Sequence, residues 1–422
     1  PGLGASSSNS NDSGTGTGSV ITESTESSQS NQPSTSRLTR KDSRSIDSTR
    51  STKRKKHSFR IIYKELLTDD DDDDDEWLGI PDPSSPSPTS SLKAAFTAFQ
   101  ITSRKRVVPH HDISSLLSEA LSLNGIWWSD NTSLSKVQTQ QMQYLDNLSS
   151  IYSPKPDSDL QLLCFNVQTK LNSRLTDEQM LDYMHELYGG SFKRKQAVRM
   201  LERLTTILPS IFKPEEEHGE AYFILTHLQC YLDLLFGQKS RFPISYNIEH
   251  DSGNSTKSEH DHGVRSDFFI EIPCPTLSSI SNSEIVGLFG EVKPPEKDRR
   301  KAIKIHDFWK LVRMAKDEIN SQIMKGVCRP MVILIQVFGF QLEMYTMTMD
   351  LDLGIYVLYK AAEGFLPRST ADMSGIGNII SIFMHSKALL QQFQEQIEEI
   401  NPGIHDSANL QKFIKKDIIC PE

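Results

Sequence analysis

The chain has 422 residues with a formal net charge of -9, and its hydrophobic fraction of 36% is too low for every part of it to belong to a core. Eight of the negative charges stand in one unbroken run, Asp69 to Glu76, so the remainder is close to neutral, which neither supports nor excludes a nucleic-acid partner. Five separated cysteines, Cys164, Cys230, Cys274, Cys328 and Cys420, offer no CxxC pair or disulfide framework and fit a reducing compartment. The start as given has no apolar leader, and the longest apolar run, 331–340, is half of what a membrane span needs, so a soluble protein is expected.

In chain order, residues 1–90 read as a disordered, low-complexity tail, because Ser, Thr, Asn and Gly offer too little apolar surface to offset backbone ordering. Within it, residues 37–60 hold ten Lys and Arg against two Asp and end in Lys53-Arg54-Lys55-Lys56. That run reads as a nuclear-import signal, a phosphate-binding arm or a solvated basic tail; with it, nucleus is favoured over cytoplasm. The adjoining acidic run is expected to shield the basic one.

Residues 91–215 read as a helical region, with apolar residues three and four apart in Ile113, Leu116, Leu117, Ala120, Leu121 and in Met180, Tyr183, Met184, Leu187. Thr176, followed by Asp177 and Glu178, is a helix start; Gly189-Gly190 is a stop, and Ser191 caps the next helix. The pair is either a helix-turn-helix nucleic-acid reader, with Lys193, Arg194, Lys195, Arg199 and Arg203 outward, or a helical hairpin packed on the main domain.

Residues 216–400 read as one α/β domain, and 401–422 as a C-terminal tail. A helix is predicted at 220–236, strands at 242–248, 266–272 and 285–292, a long amphipathic helix at 301–325, a hairpin of strands at 330–337 and 341–349, and closing helices at 373–400. The sum is a mixed central sheet with helices against it. Met344, Met347 and Met349 are read as packing residues.

The candidate chemistry sits at Asp267 and at Glu291-Val292-Lys293. Glu291 and Lys293 are two apart on a predicted strand and leave one sheet face; Asp267 lies on the preceding strand. Phosphodiester cleavage needs a hard cation to polarise the phosphate, an activated water and charge stabilisation at phosphorus. Asp267 and Glu291 with the Val292 carbonyl can hold Mg²⁺ or Mn²⁺, and Lys293 can orient or deprotonate the water and stabilise negative charge. Lys310, Arg313 and Lys316 on the long helix are candidate phosphate contacts, against the alternative of a solvated helix face. His250, Asp251, Glu259, His260, Asp261 and His262 crowd a Ser/Gly/Asn-rich stretch, either a zinc or other transition-metal site or a surface loop.

The order of helix, three strands, helix and strand, with Asp267 and Glu291-Val292-Lys293 in place, resembles the PD-(D/E)XK, or restriction-endonuclease-like, superfamily. The pattern Arg265-Ser266-Asp267-Phe268, Gly290-Glu291-Val292-Lys293-Pro294, Met314-Ala315-Lys316-Asp317, Gly354-Ile355-Tyr356 and Phe365-Leu366-Pro367 is most similar to uncharacterised fungal proteins with this domain. The resemblance implies Asp267 and Glu291 as metal ligands, Lys293 as the catalytic lysine, Glu220 as the further acid of the first helix, and Lys316 as a phosphate contact. Ser266 stands where the family has proline. The implied function is a Mg²⁺-dependent endonuclease-like protein, associated with mobile elements and acting on nucleic acid, with DNA favoured over RNA. The rival is an inactive nuclease-fold module that binds nucleic acid or protein.

Overall fold

The structure is a computed structural model that describes residues 88–107, 116–129, 138–173, 175–211, 219–237, 240–247, 266–273, 284–295 and 301–398. The basic and acidic runs, the His250 to His262 stretch and the C-terminal tail of the sequence reading lie outside these residues. No helix among the described residues is long and apolar enough to cross a membrane.

Chain order is α1 (Pro88–Val107), α2 (Leu117–Leu123), β1 (Ile126–Trp128), α3 (Gln138–Tyr152), α4 (Ser158–Asn172), α5 (Asp177–Leu187), α6 (Phe192–Ile207) and α7 (Glu220–Phe223). A π-helical turn (Ile224–Leu228) joins α7 to α8 (Gln229–Phe236). Then come β2 (Ile244–Tyr246), β3 (Phe268–Pro273), β4 (Glu284–Lys293), α9 (Lys301–Met324), β5 (Met331–Phe338), β6 (Gln341–Asp350), β7 (Ile355–Phe365), a 3₁₀ turn (Thr370–Gly375) and α10 (Ile376–Glu398).

The strands form one mixed sheet in the order β1-β7-β6-β5-β4-β3-β2. β4 and β5 run parallel, with α9 as the crossover, and β1 runs parallel to β7; all other neighbours are antiparallel. Central β5 is covered on both sides, so it is a near-continuous apolar run. Its Ile333, Ile335 and Val337 enter one core with α4, α5, α6, α8 and α10, while Val332 and Leu334 enter a second core under α9.

Each long element follows its local chemistry. Ile305, Phe308, Leu311, Val312, Ala315, Ile319 and Ile323 put an apolar stripe of α9 on the sheet, and Gly326, at φ 86°, lets the chain leave the helix. Thr176 and Gln179 form a reciprocal capping box at α5, and Ser191 accepts the Arg194 N–H at α6. Met184, Val198, Leu201 and Leu204 are buried in the first core, so α5 and α6 form a hairpin packed on the sheet's helical layer. The region read as purely helical also contributes a strand, β1, whose Ile126 pairs with Tyr356 of β7. Both strands escaped the sequence reading. The three methionines read as packing residues are buried, Met344 in one core and Met347 and Met349 in the other.

Candidate metal centre

β4 changes character along its length. Val286 and Phe289 face α9 as apolar residues, and the same face then continues with Glu291 and Lys293 at the C-terminal end of the strand. On the other face, Leu288 and Val292 stay in the core, and a Cβ at Gly290 would lie 2.0 Å from the Phe268 ring. Glycine there lets β3 press against β4, and this carries Asp267, in the bend before β3, to the strand end. The Asp267 N–H donates to the Gly290 carbonyl at 2.9 Å, and its Oδ2 accepts the Val292 N–H at 2.6 Å.

Six of the predicted site residues meet here: Asp267, Val292, Glu291, Lys293, Glu220 and Lys310. Glu291 is 1% exposed. Lys293 Nζ stands 3.2 Å from Glu291 Oε1 and 3.1 Å from Glu220 Oε2, which reaches in from the start of α7. Lys310 Nζ donates to Glu291 Oε2 at 2.7 Å, so this lysine joins the acids rather than projecting alone from α9. Arg313, one turn further on, is exposed. Lys316 goes elsewhere: it is 1% exposed, with Nζ 5.4 Å from the centre of the Tyr356 ring. It lies on the stripe of α9 that turns towards the sheet, between Val312 and Ile319.

Two further polar residues belong to the site and escaped the sequence reading. Asp307 on α9 is 6% exposed, with Oδ1 3.6 Å from His306 Nδ1. Gln336 on β5 is 2% exposed and is the register partner of Glu291. Both carried a legible signal: Asp307 interrupts the apolar stripe between Ile305 and Leu311, and Gln336 is the one polar residue in the run Met331–Phe338.

The charges are not balanced. Glu220, Asp267, Glu291 and Asp307 face Lys293 and Lys310, four carboxylates to two ammonium groups, with His306 beside Asp307 as a third basic group. Burial, and then the charges of Glu291 and Glu220, push the Asp267 carboxyl up to about 7, against the pull of Lys293. Burial also raises Glu291, with Asp307 adding to it, despite both lysines. Lys293 moves the opposite way from what burial alone dictates, because Glu291, Asp267 and Glu220 hold its proton. It is therefore an ammonium ion across the neutral range.

Among the described residues, no three His, Cys, Asp or Glu side chains stand ready as a cage for a metal ion; the lysines occupy the Glu291 oxygens instead. The donor chemistry nevertheless fits a hard divalent cation. The donor atoms are oxygens, from Asp267, Glu291, Glu220 and the Val292 carbonyl, and a cation displacing the lysines would relieve the repulsion that Glu291 and Glu220 exert on Asp267. No family model, curated protein or solved structure matches the chain.

Proposed function

We propose that the chain is a divalent-cation-dependent phosphodiester hydrolase of nucleic acid, on a restriction-endonuclease-like core. One observation carries this reading: Lys293 bridges Glu291 and Glu220 while Asp267, clamped on the Val292 N–H, adds its charge at the same strand end. The topology supports it, since β3 lies antiparallel and β5 parallel to the strand that bears Glu291 and Lys293.

Asp267 and Glu291, with the Val292 carbonyl and Glu220 nearby, would hold Mg²⁺ or Mn²⁺, which when bound supplies a Lewis acid for the phosphate and an acidified water. The chain's own residues do the rest. Lys293, held as an ammonium ion, suits charge stabilisation at the phosphorus and orientation of the water, and not proton abstraction. Lys310 neutralises Glu291 until a cation does, and Arg313 offers an exposed guanidinium to a passing phosphate. DNA is the preferred substrate of this reading, and the nucleus, through Lys53 to Lys56, its compartment.

A second reading, a non-catalytic binding module, draws on the Glu291 oxygens being already matched by two lysines. The purified chain, given supercoiled DNA or single-stranded RNA with Mg²⁺ or Mn²⁺, separates the two. Cation-dependent cleavage that EDTA stops and that Glu291→Ala and Lys293→Ala abolish is the expected result. No cleavage leaves the module; equal cleavage by both variants identifies a contaminant.

A further inference from the structure

Two buried oxygens beside Glu291 have no donor. Asp307 Oδ2 and Gln336 Oε1 are each shielded from solvent and lack any hydrogen-bond partner. Leaving such groups unpaired costs free energy on the scale of a lost hydrogen bond or more, so each is a place for a water or an ion, and among the described residues these two are unpaired oxygens next to the Glu291 cluster. The Gln336 orientation is fixed by its other half: Nε2 donates to the Lys304 carbonyl at 2.9 Å, which leaves the oxygen, and not the amide nitrogen, as the free end.

The helix spacing and the strand register bring the two residues to the same side of Glu291. Lys304, Asp307 and Lys310 are spaced three apart and form one ridge of α9. The Lys304 end of the ridge touches Gln336, and the Lys310 end touches Glu291 at 2.7 Å. Gln336 and Glu291 are direct neighbours across β5 and β4. Asp307, between the two ends, therefore lies over the gap between Gln336 and Glu291. His306 is near Oδ1 only, so Oδ2 is the oxygen left over.

We infer that Asp307 and Gln336 are cation ligands, which with Glu291 form a seat for a hard divalent ion on the α9 side of the centre. One amide oxygen and two carboxylates, with no nitrogen or sulfur donor, is the set that Mg²⁺ and Mn²⁺ accept, with water completing the shell. Water would also satisfy the oxygens, but only a cation offsets the repulsion between the Asp307 and Glu291 carboxylates. The seat differs from the one assigned to Asp267 and the Val292 carbonyl, with Glu291 common to both. It rests on the cation-centre part of the proposed function and not on cleavage.

The test is Mn²⁺ binding to the full chain, followed by calorimetry and by the electron paramagnetic resonance of the free ion. Asp307→Asn keeps the shape of the side chain, and its metal-free thermal unfolding controls for folding. The expected result is a binding component that weakens more than about tenfold in Asp307→Asn and tightens in Gln336→Glu, which adds a carboxylate to the same seat. Asp267→Asn leaves that component in place. Affinities within about twofold of wild type in both the Asp307 and Gln336 variants, or no Mn²⁺ binding by the wild type, overturn the inference. Loss of binding in Asp307→Asn by a chain that cleaves nothing leaves the seat standing and removes the hydrolase.

Discussion

Two buried glutamates on the same face of the sheet each sit between two lysines, yet they titrate in opposite directions. Glu343 of β6 pairs with Lys304 at 2.8 Å and Lys360 at 3.2 Å, and Tyr345 also donates to it. Burial pushes its carboxyl up, but the Lys304 and Lys360 contacts outweigh this and leave it below the usual range. Glu291 has comparable lysine contacts and stays above the usual range, because burial prevails and Asp307 adds to it. The Glu343 cluster is matched, with Glu343 and Glu363 against Lys304 and Lys360. The Glu291 cluster is not: Glu220, Asp267, Glu291 and Asp307 share Lys293, Lys310 and His306, and Asp267 and Glu291 are left above the usual carboxylate range. An ion-pair network that satisfies itself needs no further ion, whereas the raised carboxyls at the strand end are what a cation bound under the proposed function would lower.

The two glutamates should differ in what they contribute to stability. Glu343→Ala leaves Lys304 and Lys360 without their acid and should cost about 2 kcal/mol in urea unfolding at neutral pH. Glu291→Gln in metal-free buffer should change stability by less than about 1 kcal/mol, since the two lysines keep other acids nearby and a costly charge is removed. Equal losses in the two variants would erase the distinction. For Glu343 the lowered value means a contribution present at neutral pH that fades as pH falls through its folded-state value.

A smaller effect follows from Asp267. Its carboxyl is raised from 3.8 to about 7, so the folded chain holds a proton that the unfolded chain has already released. Stability therefore declines as pH rises from about 4 to about 7 and stays reduced above that. Asp267→Asn keeps an acceptor for the Val292 N–H and removes the penalty. In EDTA it should unfold later than wild type at pH 8, by on the order of 1 kcal/mol after allowance for partial solvent screening, and with little difference near pH 4. A wild type that gains stability from pH 4 to 7 relative to this variant would contradict the assigned direction.

Much of this layout was legible in the sequence where it is local. The stripe from Ile305 to Ile323 identifies α9, the run Met331–Phe338 identifies a strand buried on both faces, and Glu291 and Lys293, two apart, share a face by strand geometry alone. Pairing between distant segments was not legible. β1 is three residues long and acquires its identity from β7, more than two hundred residues on. Lys310 read as a phosphate contact because spacing shows which residues of a helix share a face, and not which buried acid lies opposite. Lys316 was likewise read from its motif, although the aromatic ring that covers it comes from β7. Asp307 and Gln336 broke apolar patterns in plain view, but an interrupted pattern gains chemical meaning only when two interruptions meet.

The most direct test is to compare Glu291→Gln and Glu343→Gln in one assay, cleavage of supercoiled DNA in Mg²⁺ with protein in excess. The account predicts loss of more than about a hundredfold in rate for Glu291→Gln and less than about fivefold for Glu343→Gln, with both variants folded. Equal rates in the two variants, or a wild type inert in Mg²⁺ and Mn²⁺ alike, would contradict it.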